Sequence, residues 1–236
     1  MANPIFNQNT INRADTAVGD ERMTISGAIH CSISYALLLV ASAVGGFSFA
    51  PQLGMAGVIG GAIIGLVAVF VSVFKPTASP VAGPVYAIAQ GVAVGIISAI
   101  YNAQSNGIIL QAVLLTFGTM LAMLALYTMR IIRVTQKFRS IVFAATLGIM
   151  FTYVVNLILM AFGTKVPFLH DTGTVGLLIS LFIVVVAALN YLLDFDNIER
   201  GAAAGLPKYY ESTSAIGVLV TTVWLYLEFL RMLSRR

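Results

Sequence analysis

LGMAGVIGGAIIGLVAVFVSVF, residues 53–74, carries no charged side chain. A helix needs about 20 mainly apolar residues to cross a hydrocarbon layer roughly 30 Å thick, and this run supplies them. Working outward, six further runs of the same kind occupy approximately 25–47, 81–101, 108–129, 140–162, 174–193 and 214–233. Over the whole chain, 59% of the 236 residues are hydrophobic and only 9% are charged, against about 25% charged in an ordinary soluble domain. A single soluble core of this size cannot hide so much apolar surface, so the chain belongs in a lipid bilayer. Lipid satisfies no loose backbone groups, and a barrel would need shorter, alternating segments, so the runs are helices. The expected fold is an all-α membrane protein, a seven-transmembrane-helix bundle. It forms one domain over residues 23–236, preceded by a polar segment, residues 1–22.

Orientation follows from the basic residues. With the N-terminus in the cytoplasm, that side receives Arg13, Arg22, Lys75, Arg130, Arg133, Lys137, Arg139, Arg200 and Lys208. The other side receives Lys165 and the tail residues Arg231, Arg235 and Arg236. The balance favours a cytoplasmic start. A last run that failed to cross would return the three tail arginines to the same side. Residues 1–22 lack the short apolar core of a cleavable leader, so the start is expected to be retained. Cys31 is the only cysteine and cannot form an intrachain disulfide. No basic, aromatic-interleaved surface suggests nucleic acid.

Gly57, Gly61 and Gly65 repeat at spacings of four, and Gly91 and Gly95 do the same in the third run. Small residues so spaced let helices approach closely. Pro80 and Pro84 open the third run, where a missing N–H costs little. His30 and His170 have no companions at zinc-site spacing, and no HExxH, GxSxG or P-loop occurs in a suitable context. An enzyme is not expected. Asn156 and Asn190, polar within apolar runs, suit interhelical hydrogen bonds.

No acid lies between Glu21 and Asp171. Asp194, Asp196, Glu199 and Glu211 then gather around the sixth loop, residues 194–213, and Glu228 interrupts the last run in WLYLEFLRML, residues 224–233. An ionisable group inside a membrane costs a few kcal/mol and usually faces the bundle interior or a watery cavity, which marks it as functional. Two readings of Glu228 stand side by side. Arg231, three residues on, shares its helical face and could form a local ion pair. Alternatively, Glu228 belongs to a site. Asp194 and Asp196 end the sixth run, where acids oppose the helix macrodipole and so suggest a purpose.

FDNIE, residues 195–199, with LYLEFLRML, residues 225–233, resembles the Bax inhibitor-1 family, and more narrowly its YccA-like bacterial branch. SPVAGPVYAIAQGVAVGIIS, residues 79–98, is similar to the family's proline- and tyrosine-containing segment, and MANPIF at the start fits the branch. The resemblance implies a seven-helix fold with the last helix central, in a bacterial plasma (inner) membrane. It also implies a pH-sensitive calcium leak gated by protonation of a carboxylate pair, Asp196 and Glu228, with Asp194 supplementing Asp196 and Arg231 as supporting charge. Carboxylates sharing one proton titrate as a coupled pair. Ionised, the same acids could contact calcium, which takes several oxygen ligands. No resident cofactor is implied; calcium is the permeant. Gln90 departs from the glutamate that the family often carries there. Depth also bears on the pair. If the last helix starts near Thr213, Glu228 lies about 22 Å along it at 1.5 Å per residue. Pairing then requires residues 209–218 to lie along the interface, or the sixth helix to continue past its apolar run. The alternative function is a membrane-embedded regulator of a membrane protease or other membrane partner, with the polar segment, residues 2–18, as its handle.

Overall fold

A computed structural model describes residues 21–163 and 173–235. Arg13, Asp15, Asp20, Lys165, His170, Asp171 and Arg236 lie outside these residues, as does the segment 2–18 expected to contact a partner. The seven runs are seven long helices: α1 (Ile25–Ser48), α2 (Ala50–Phe74), α3 (Ser79–Gln104), α4 (Ile108–Thr128), α5 (Gln136–Ala161), α6 (Thr174–Ala203) and α7 (Tyr209–Leu233). Each is long and apolar enough to cross a membrane. Burial differs sharply among them. In α7, 61% of the spanning window is buried, against 6% in α1, and strong burial is what an enclosed last helix requires.

Local chemistry sets the helix limits. In its first turns α2 kinks at Gly54, whose φ of +50° and ψ of −149° favour a residue without Cβ. The run beginning at Leu53 thus marks the true start of the straight part of α2. Thr135 caps α5 by accepting from the Phe138 amide at 3.2 Å. Pro84 lies within α3, one turn past Pro80, near the helix start where its missing donor is cheap.

The sixth loop is shorter than the sequence suggested. Residues 194–203 continue α6 and residues 209–213 already belong to α7, leaving residues 204–208 as the connection. Charge lowers hydropathy without breaking a helix, so the apolar run ended before the helix did. What ends α6 is Gly205, at φ +65°, followed by Pro207, which cannot continue it. Asp194 and Asp196 are therefore interior to α6, not at its end. The macrodipole argument made for them applies instead to Arg200, the basic residue of the last turn.

The described chain forms two compact units. One contains α1, α2, α3 through Ile100, and Asp194–Val220 of the α6–α7 hairpin. Its core gathers Tyr35, Tyr86, Ala87, Ile216 and Leu219. Glycines bring its helices to backbone contact. A Cβ at Gly61 of α2 would stand 2.5 Å from the Ala89 carbonyl oxygen, and one at Gly91 of α3 would stand 2.5 Å from that of Leu39. Gln90 fills the space beside Gly65. The spaced glycines thus serve helix packing, as expected. The other unit contains Tyr101–Leu193 and α7 from Thr221 onward. Ile149, Ile183 and Val186 form its apolar cluster, with Trp224 packed against it. Asn190 crosses from α6 to donate to Thr146 Oγ1 at 2.9 Å, whereas Asn156 donates to Met160 Sδ within its own helix. Arg235 donates to the Gly176 carbonyl, so the end of α7 lies beside the beginning of α6.

In the first unit the start of α1 is clipped to the hairpin. The Met23 amide donates to the Leu206 carbonyl at 2.6 Å and the Lys208 amide to that of Glu21 at 3.1 Å. The Lys208 ammonium pairs with the Glu21 carboxylate, and that partner holds its pKa above the ordinary lysine value. Thr24 caps α1 and accepts from the Gly27 amide at 2.9 Å. In a capping box, a glutamate three residues after the cap would bond back to the cap amide. Here that position is Gly27, and Glu211 of α7 takes the role. Its Oε1 accepts from the Thr24 amide at 2.9 Å and from the Thr24 hydroxyl at 3.0 Å. A Cβ on residue 27 would stand 2.1 Å from that carboxylate oxygen, so glycine makes room for the distant acid. Hydrogen bonds to a charged group are worth about 1.5–3 kcal/mol. Thr24 is exposed, so Glu211→Ala is expected to cost near the lower end in detergent-micelle unfolding. Adding Gly27→Glu should recover part of that loss, because a local capping box then replaces the long-range one. No recovery would show that Glu211 acts by packing alone.

Candidate functional site

Glu228 sits about five turns into α7, among Leu225, Phe229 and Leu230, all buried. It is only 1% exposed. Tyr153 of α5 donates its hydroxyl hydrogen to Glu228 Oε1. The same hydroxyl accepts from Arg231 Nη1 at 2.9 Å. The guanidinium carbon stands 5.1 Å from the Tyr153 ring centre, close enough to interact with its π face. Arg231 and Glu228 approach directly at 3.6 Å, Nη1 to Oε2, too long for a good hydrogen bond. Among the described residues Glu228 Oε2 has no hydrogen-bond partner. The three side chains thus form a bridged cluster in which the phenol links acid and base. The local ion pair read from the spacing exists, but in a loosened form.

Asp196 occupies a different setting. It is buried on α6 and meets Arg200 Nε at 2.8 Å, one turn along. The arginine side is half exposed, so solvent screens that pair. Asp194 lies beside Gly217 of α7, where a Cβ would stand 3.5 Å from its Oδ1. Asp194 and Asp196 belong to the first compact unit and Glu228 to the second. The sixth helix continues past its apolar run, through Ala203. Among the described residues no three His, Cys, Asp or Glu side chains gather to hold a metal ion.

Two site residues carried no assignment from the sequence. Tyr153 is one tyrosine in an apolar run, and its partner is 75 positions away. Its one available signal is that a phenol buried in lipid needs a hydrogen-bond partner. Glu211 was visible as a late acid, but its cap lies on a helix 187 positions earlier. His30 is exposed on α1.

Searches of curated proteins and of solved structures returned no match. A family model described as Bax inhibitor 1 like matches residues 3–236, a span that takes in all seven helices, the Asp196 pair and the Glu228 cluster. The chain therefore belongs to the Bax inhibitor 1 like family of membrane proteins.

Proposed function

We propose that the protein is a passive cation leak, calcium-permeable and pH-responsive, with Glu228 and Asp196 as its proton-sensing acids. The observation that carries this reading is Glu228. A carboxyl group 1% exposed inside a membrane-spanning helix is expensive and is kept for function by default. The groups facing it are Tyr153 and Arg231. Ionised, it accepts from the phenol and attracts the guanidinium; protonated, it loses that attraction and Arg231 is released toward other acceptors. Asp196 would release Arg200 in the same way. Both events change the charge along α6 and α7 without any covalent step. Ionised carboxylates also suit a divalent cation, which prefers oxygen ligands. The resemblance to the YccA-like branch further supports a bacterial inner-membrane setting with a cytoplasmic N-terminus.

The test is calcium flux into proteoliposomes across a pH series. Glu228→Gln and Asp196→Asn are each expected to flatten the pH dependence. A full pH response retained in both single variants would sink the assignment.

A further inference from the structure

The second compact unit has an apolar groove of about 320 Å³ between α5 and α6. Ala145, Gly148 and Tyr153 line it from α5, and Ile179, Phe182 and Ile183 from α6. We propose that this groove binds one acyl chain of an anionic phospholipid, whose headgroup lies against Arg133 and Lys137.

Four observations carry the proposal. The α5 lining residues recur at helical spacing from Ala145 to Tyr153, so the groove runs along the helix for about 12 Å at 1.5 Å per residue. That is the direction of a lipid chain. The groove opens outward: Phe182, which lines it, is 57% exposed, and Gly148 is exposed. In a membrane-spanning unit such an apolar opening meets acyl chains and not water. Arg133 and Lys137, both exposed, stand just before and within the first turn of α5. Ala145 lies eight residues beyond Lys137, about 12 Å along the axis, within one leaflet's depth of a hydrocarbon layer about 30 Å thick. Finally, an ideal Cβ on Gly148 meets nothing within 4 Å. That glycine is not needed for helix contact, and its missing side chain leaves the groove open.

The far end of the groove is lined by Tyr153, whose hydroxyl serves Glu228. An effect on ion flux would rest on the function proposed above, but binding itself does not. Binding can be read from Trp224, the chain's single tryptophan, which packs on the Ile149 and Ile183 cluster that also lines the groove.

The experiment measures quenching of Trp224 fluorescence by brominated-chain phosphatidylglycerol and phosphatidylcholine in proteoliposomes. The native chain should be quenched at lower mole fractions of the anionic lipid. Removing one charge, in Arg133→Gln or Lys137→Gln, should reduce that preference about fivefold, as expected for one basic residue near a lipid surface. Gly148→Leu should abolish the saturable quenching by both lipids, and Gly148→Ala should fall between. The alanine variant keeps the test valid if leucine disturbs folding. Quenching that does not follow side-chain volume at residue 148 overturns the proposal. So does equal quenching by the two lipids in the native chain. Resistance of the native chain to both would mean that protein, such as a second copy, fills the groove, and overturns it as well.

Discussion

Arg231→Leu is expected to destabilise the protein by about 3–5 kcal/mol, because breaking a buried ion pair leaves its other member uncompensated. The acid left behind is Glu228, 1% exposed, with only the Tyr153 hydroxyl bonded to Oε1. The Arg231 side chain is 32% exposed, so its own desolvation was incomplete and the loss should fall toward the lower figure. Tyr153→Phe should cost less, about 1–3 kcal/mol, since it removes one bridging hydroxyl and leaves the charges opposite each other. The informative variant is Glu228→Gln/Arg231→Leu. Glutamine keeps an acceptor for the phenol while removing the stranded charge, so most of the stability should return. Unfolding in mixed micelles, followed by helical circular dichroism, measures all three. If the double variant is as unstable as Arg231→Leu alone, the arginine contributes through its aliphatic stem and the π contact, and the charge balance around Glu228 is irrelevant to folding. Recovery would show that the acid is held against its own cost, as expected of a residue retained for function.

How much of this was legible beforehand depends on the kind of interaction. The seven helices follow from one-dimensional hydropathy because lipid imposes the same requirement on every turn. The glycines at 57, 61, 65, 91 and 95 also read correctly, since close approach needs only spacing on one face. Hydropathy failed where helix and membrane part company. Asp194–Ala203 is helical though charged, and its true stop signal was Gly205 followed by Pro207. The Glu228–Arg231 proximity was readable because both residues share one helix. Tyr153 was not, since nothing in α5 indicates which helix faces it. Glu211 shows a further limit. Gly27 at the position where a capping box wants glutamate looks like a weak helix start, and only the tertiary structure supplies the missing acid.

Gly95→Ala is expected to cost about 2–3 kcal/mol, although alanine is the better helix former by about 1 kcal/mol. A Cβ there would stand 2.1 Å from the Ala43 carbonyl oxygen and 2.7 Å from the Phe47 amide nitrogen. Both obstacles are backbone, so no rotamer change relieves them. Gly46 on α1 meets α3 in the same way, with a Cβ 2.4 Å from the Val92 carbonyl oxygen. The α1–α3 crossing is thus backbone against backbone from both sides. Between membrane helices little hydrophobic drive remains, and association relies on van der Waals contact over such surfaces. One methyl group that pushes the axes apart therefore weakens many contacts together. Gly118→Ala provides the control. It sits in α4 with nothing within 4 Å of an added Cβ, so helix propensity alone should act and stabilise by about 0.5–1 kcal/mol. Micelle unfolding of the two variants should move in opposite directions. Equal stabilisation would mean that α1 and α3 can separate without loss, and that the spaced glycines do not hold the first unit together.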